Sequence, residues 1–187
     1  MAFSERKVAQ MAAYFLSRND GTLPIVKLMK LLYLADRKSL EWFGMPISGD
    51  RMVSMPHGPV LSRTYDLMSG SSQSGDGGWD CWVADRAAHA VSLKDCDNRA
   101  APDFPDLSDA DLEILDSIQA EFGHMGKWEI RDYTHDRCAE WRDPQGSSRP
   151  IFYKDVFLAL GRSSEEASAA QQEIESYNSM DQLFARL

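Results

Sequence analysis

The stretch from Thr22 to Gly44, TLPIVKLMKLLYLADRKSLEWFG, constrains this chain more than any other. Thr22 reads as an N-cap, and Pro24 as a first-turn residue whose missing N–H costs nothing. Gly44 reads as the left-handed residue just past the helix end. Leu28, Met29, Leu31, Leu32, Leu34 and Ala35 cover most of the circumference, so the helix belongs in the middle of a fold with neighbours on several sides. Lys27, Lys30, Asp36, Arg37 and Lys38 are expected to supply its solvated surface. With those charges it is a core helix and not a membrane span.

Elements before and after it are expected to pack around that helix. Ser4 to Ser17 shows an apolar stripe of Val8, Met11, Ala12, Phe15 and Leu16 at helical spacing, stopped by Arg18-Asn19-Asp20-Gly21. Arg51–Met55 alternates around Val53 as a short strand, ended by Pro56-His57-Gly58-Pro59, and Val60–Met68 resumes a helical pattern. Residues 69–78, SGSSQSGDGG, read as a flexible loop without side chains that can pack. Trp79, Cys81 and Val83, then His89, Val91 and Leu93, alternate as a hairpin connected by Asp85-Arg86-Ala87-Ala88. Together with residues 51–55 this hairpin suggests one small antiparallel sheet. Asp95–Asp106 reads as an acidic loop.

The later helices are better signposted. Ser108 is an N-cap with Asp109 and Asp111 in the first turn, Leu107 and Leu112 form a hydrophobic staple, and Gly123 closes the run. A helix through Trp128, Ile130, Arg131 and Tyr133 follows, and a short apolar helix spans Ile151–Leu160 up to Gly161. Ser163 and Glu166 make a capping box for a tail whose Ala167, Ala170, Ile174, Tyr177, Phe184 and Leu187 form a narrow apolar seam suited to docking. The expected fold is therefore mainly α (α+β). A single compact helical domain over 1–161 surrounds a buried central helix, with a small antiparallel sheet and a C-terminal amphipathic helical tail over 162–187.

Composition bounds the function classes. The net charge of −9 is uneven: residues 1–63 hold nine Lys/Arg against five Asp/Glu, and the remainder eleven against twenty-four. A basic first third offers a face for nucleic acid, and the acidic remainder a face for a basic protein partner. The N-terminus has no uninterrupted apolar run, and Cys81, Cys96 and Cys138 follow no disulfide framework, so a cytoplasmic, reduced protein off the membrane is expected.

Chemical motifs are sparse. His57, held between Pro56 and Gly58-Pro59, reads either as part of a structural turn or as a rigid recognition corner. No nucleophile elbow accompanies it, which argues against catalysis. His135 and Cys138 stand three apart, but a structural zinc site wants a second close pair and none exists, so no metal is expected. Phosphate-loop and dinucleotide fingerprints are absent, and no cofactor is expected. Trp79 and Trp82, flanking the Gly/Ser loop, are the aromatic residues to regard as an exposed partner anchor.

Lys27-Leu28-Met29-Lys30-Leu31-Leu32-Tyr33-Leu34-Ala35-Asp36 resembles the K-L-x-K-L-L-Y-x-A-D helix of the Panacea domain, the SocA-like antitoxin family. The resemblance continues through Gly44-Met45-Pro46-Ile47, His57-Gly58-Pro59-Val60, Tyr65, Leu112–Phe122, and Thr134-His135-Asp136 with Trp141, covering about residues 5–160. It implies a compact, mostly helical domain with a small sheet. It also implies a non-enzymatic antitoxin of a bacterial or prophage toxin–antitoxin pair that neutralises a cognate protein toxin by binding it. His57, Trp79, Trp82, Ile174, Tyr177 and Phe184 are the expected partner-binding residues; the motif residues are a signature of fold. A docking tail also suits presentation of the complex to a bacterial AAA+ protease. The alternative is a DNA-binding regulator of its own operon, from the basic third and the helix–turn–helix-like start. Against it, Thr22–Gly44 looks too buried for a recognition helix.

Overall fold

A computed structural model of the chain describes residues 2–84, 89–94 and 103–184, and the statements below concern those residues. The 85–88 connection, residues 95–102 of the acidic loop with Cys96, and Leu187 of the tail seam lie outside them. The central helix α2 (Ile25–Phe43) is inaccessible from Lys27 through Asp36 and again at Ser39 and Leu40. Gly44 closes it with φ 73°, its N–H donating to the Leu40 carbonyl at 3.1 Å.

Helix α1 (Glu5–Ser17) lies against α2, capped by the Ser4 hydroxyl, which accepts from Lys7 N–H at 3.3 Å. Thr22–Pro24, expected to open α2, instead forms strand β1. Pro24 has ψ 136°, which excludes it from the helix, and the segment pairs antiparallel with Ala90–Leu93, Leu23 opposite Val91. No side chain caps α2 there.

The single expected sheet is two sheets. Strands β2 (Met52–Met55) and β3 (Gly58–Leu61) form a hairpin around Pro56-His57, and β6 (Arg149–Ile151) completes the order β3-β2-β6. Gly58-Pro59 therefore begins a strand and does not end one. Gly58 supplies φ 95°, and Pro59 is tolerated because β3 is an edge. The other sheet has order β1-β5-β4, with β4 (Val83–Ala84) and β5 (Ala90–Leu93).

Helices α3 (Ser62–Ser69), α5 (Asp109–Phe122), α6 (Lys127–Arg137), α7 (Tyr153–Ala159) and α8 (Ser164–Phe184) follow the periodic segments of the sequence to within a few residues. At α5 the Ser108 hydroxyl accepts from Asp111 N–H at 3.2 Å, and the Asp111 carboxylate accepts from Ser108 N–H at 2.9 Å. Gly123 ends that helix in a right-handed conformation (φ −58°), so no left-handed cap is needed there. The Ser163–Glu166 capping box is present at α8. Much of the charge asymmetry is consumed internally: Lys7 pairs with Asp111 at 2.7 Å, Arg6 with Asp106 at 3.2 Å, and Tyr14 donates to Asp116.

Trp79–Trp82 forms one helical turn, α4, where alternation had suggested a strand. A spacing of three puts both indoles on its inner side, and Trp82 packs near Phe104 with ring centroids 5.9 Å apart. The turn is positioned by Glu5, whose carboxylate accepts from Trp79 N–H at 2.9 Å, the Ser74 hydroxyl at 2.7 Å and Gly75 N–H at 3.2 Å. Burial pushes the Glu5 carboxyl up, but these three donors outweigh it and hold it below the usual carboxylate range. The Gly/Ser loop is thus tethered to the start of α1. Glu5→Ala is expected to release it, so that limited proteolysis cuts within residues 70–78 faster than in the wild type; equal cleavage rates would contradict the tether.

Candidate functional site

The sequence reading gave α2 a solvated edge of Lys27, Lys30, Asp36, Arg37 and Lys38. That expectation is corrected for the first three: Lys27 is 8% exposed, Lys30 1% and Asp36 0%. Five polar side chains of this helix reach four other segments of the body. Lys27 donates to the Gly123 carbonyl at 2.7 Å, and Lys30 to the Pro59 carbonyl at 2.7 Å. The Tyr33 hydroxyl and Arg37 Nε both donate to Glu140, at 2.6 and 2.7 Å. Asp36 accepts from the N–H groups of Ile47 and Ser48, both at 3.0 Å, and from the Ser48 hydroxyl. A buried polar group without such partners would cost about 1–3 kcal/mol, so these bonds dictate where the segments sit.

Burial leaves its mark on these groups. It pushes the Lys30 ammonium down to about 7 and the Asp36 carboxyl up to about 7, the latter despite the opposing bonds from Ser48 and Ile47. Burial, then the Glu140 charge, raises Tyr33 well above the usual phenol value. Burial raises the Cys138 thiol to about 12, which leaves it protonated and poorly nucleophilic at neutral pH.

Several motif residues converge above Lys30. A Cβ on Gly58 would lie 2.9 Å from Lys30 Cε and Nζ and from Thr134 Oγ1, so glycine is required by space as well as by its φ of 95°. Beside Thr134, the His135 ring stacks on Trp141 with centroids 4.0 Å apart and planes 5° apart. Trp141 Nε1 donates to the Met55 carbonyl at 3.0 Å, which ties the β2–β3 turn to the segment after α6. His135 Nε2 is buried without a hydrogen-bond partner, and burial, followed by the Lys30 and Arg131 charges, holds its pKa below the usual imidazole value. His57 is exposed at the tip of the turn, its ring 6.4 Å from that of Trp128. Trp128 itself is 49% exposed, with Lys127 Nζ 5.0 Å and Arg131 Cζ 4.7 Å from its ring centre. The corner thus shows an aromatic and basic outer face over a buried polar floor. The sequence placed Trp128 on a helix without marking it as a surface residue; Lys127 beside it and Arg131 three residues on were the available hint.

Other expected site residues lie elsewhere. Lys27, Asp36 and Tyr33 serve separate junctions along α2, and Tyr65 on α3 is part-buried against the core. Trp79 and Trp82 are not the exposed anchors expected, because α4 turns both inward to 2% and 9% exposure. The tail divides. Ala167 and Ile174 are fully buried where α8 packs along α7, whereas Tyr177, Met180, Leu183 and Phe184 are 44–73% exposed. A groove of about 410 Å³ lies beside α7, bordered by Arg149 and Pro150 of β6, Phe152, Leu158, Glu140 and Arg142. Among the described residues no three His, Cys, Asp or Glu side chains gather as a metal-binding group, and no helix is long and apolar enough to cross a membrane.

Two substitutions test the Lys30 corner. Gly58→Ala is expected to destabilise the fold by about 2 kcal/mol or more, read as a lowered midpoint of chemical denaturation, because strain at positive φ adds to the clash with Lys30 and Thr134. The lowered Lys30 pKa means the unfolded chain binds the extra proton above pH 7, so stability rises with pH there. Between about pH 7 and 9, below the usual range of phenols, Lys30→Met should flatten that rise; an unchanged slope would place the ammonium in water.

A family model described as antitoxin SocA-like, Panacea domain, matches residues 28–142, more than half of the chain. No curated protein and no solved structure matches it. The matched span takes in the Lys30 corner, the Tyr33–Arg37–Glu140 cluster and both sheets except β1 and β6, and it ends before α7 and α8.

Proposed function

The chain belongs to the SocA-like antitoxin family of Panacea domains, and from that premise we propose that it neutralises a cognate protein toxin by binding it directly. The observation that carries this reading beyond family membership is the division of α8. Its apolar seam is seated on the body as far as Ile174 and runs on into water through Tyr177, Met180 and Phe184. An amphipathic helix with one end docked and the other open is suited to a hydrophobic groove on a partner. The exposed Trp128 and His57 at the β2–β3 corner offer a second, aromatic contact of the kind that concentrates binding energy.

The reading assigns the protein a binding role and no reaction. At the Lys30 corner, Lys30 and Trp141 are engaged with the Pro59 and Met55 carbonyls, which suits shape-holding. The proposed setting is the bacterial cytoplasm, chromosomal or prophage, and the free end of α8 would also suit presentation of the bound toxin to an AAA+ protease. Regulation of DNA finds less support, since most of α2, including Lys27 and Lys30, is buried, and its polar surface is confined to Arg37, Lys38 and its last residues.

Truncation must respect the packing, because Ala167 and Ile174 are core residues. Removing residues 176–187 should leave the melting temperature nearly unchanged. It should weaken binding to the toxic product of the neighbouring gene by at least about tenfold in titration calorimetry, with loss of growth rescue. Unchanged affinity in the truncated protein would remove the tail from the mechanism, and a harmless, unbound neighbour would count against the antitoxin reading itself.

A further inference from the structure

We infer that the groove beside α7 receives the distal part of α8 from a second copy of this chain. Two arginines and two carboxylates line the groove. Its two arginines, Arg142 and Arg149, take part in no ion pair among the described residues. The two carboxylates that line it are already engaged. Glu140 is held by Tyr33 and Arg37, and Asp155 accepts from Phe152 N–H at 3.0 Å to cap α7. Its apolar walls include Phe152 and Leu158, 60% and 41% exposed, which a monomer leaves facing water.

Helix α8 carries the complement. Its distal part, from Glu175 to Phe184, has Glu175 and Asp181 and no Lys or Arg. Its uncovered seam offers Tyr177, Met180 and Phe184 as anchors. Acidic residues beside apolar anchors meet arginines beside apolar walls, so charge and hydrophobic character match together. The segment after Ile174 spans about 15 Å as helix. The α8 of the same copy is committed elsewhere. Lys154 N–H donates to Gln171 at 2.9 Å, which fixes the near half along α7, and Ala2 N–H donates to Asp181 at 3.1 Å, which holds the far half by the chain's own start. Exchange between two copies is reciprocal: each gives a seam and each gives a groove, which closes a two-fold dimer. Such a dimer covers the same seam assigned to toxin binding, so self-association and toxin capture compete.

The test uses the full chain alone, so its outcome is independent of any toxin. Analytical ultracentrifugation from about 1 to about 200 µM should show a concentration-dependent monomer–dimer equilibrium that weakens with added salt. The pair R142E/R149E and the pair Y177S/F184S should each weaken dimerisation by at least about tenfold, with circular dichroism and melting unchanged. An equimolar mixture of the two variants should dimerise better than either alone, because one supplies an intact groove and the other an intact seam. A wild-type protein monomeric throughout that range would overturn the proposal. So would R142E/R149E dimerising like the wild type, or a mixture no better than its components. Loss of toxin binding in R142E/R149E with a monomeric wild type would give the groove to the toxin instead.

Discussion

Everything in this structure depends on polar side chains of α2 that the fold has taken out of water. A buried lysine, tyrosine, aspartate or arginine without a partner is costly, so each must find one, and here the partners come from four different parts of the chain. Lys27 fixes the end of α5, Lys30 fixes β3, Asp36 fixes the 47–48 turn, and Tyr33 with Arg37 fixes Glu140 beyond α6. Apolar burial along the same helix drives collapse without direction. The hydrogen bonds supply the direction, because only one arrangement of segments satisfies them all.

The candidate site follows from that constraint. Lys30 can reach the Pro59 carbonyl only because Gly58 has no side chain, and the space saved also admits Thr134. With β3 and α6 so close, His135 stacks on Trp141 and the β2–β3 turn is held against the segment after α6. The aromatic outer face, with His57 and Trp128, is therefore displayed on a rigid base. Helix α8 is the opposite case. Past Ile174 the Ala2 N–H donates to Asp181 at 3.1 Å, while the side chains of Tyr177, Met180, Leu183 and Phe184 stay exposed.

Much of this was legible in the sequence, for reasons that also explain what was not. Helices α1, α2, α5, α6 and α8 follow from apolar periodicity and local caps, signals contained within about 20 residues. The signature K-L-M-K-L-L-Y-L-A-D announced a family and hence a fold, yet its charges were read as surface because exposure is the default for lysine and aspartate. Their burial depends on carbonyls and carboxylates supplied from as far as 107 residues away, such as Glu140 for Tyr33 and Arg37. Strands β1 and β6 were hidden for the same reason. Each has three residues including a proline, and each exists only because of a distant partner, Leu23 opposite Val91 and Met52 opposite Ile151. Trp79 and Trp82 misled because a spacing of three inside a short segment fits a helical turn as well as an irregular strand, and only the Glu5 tether decides.

The central claim is a body fixed by α2 that carries a docking seam left open at the end of α8. Hydrogen exchange followed by mass spectrometry, on the dilute free protein and on its complex with the neighbouring gene product, tests it most directly. The account predicts that amides of α2 and of the segments bonded to it open only with global unfolding. Residues 175–184 should exchange fast in the free protein and slow markedly in the complex. Early exchange in α2, or a complex that leaves 175–184 as fast as before, would contradict it.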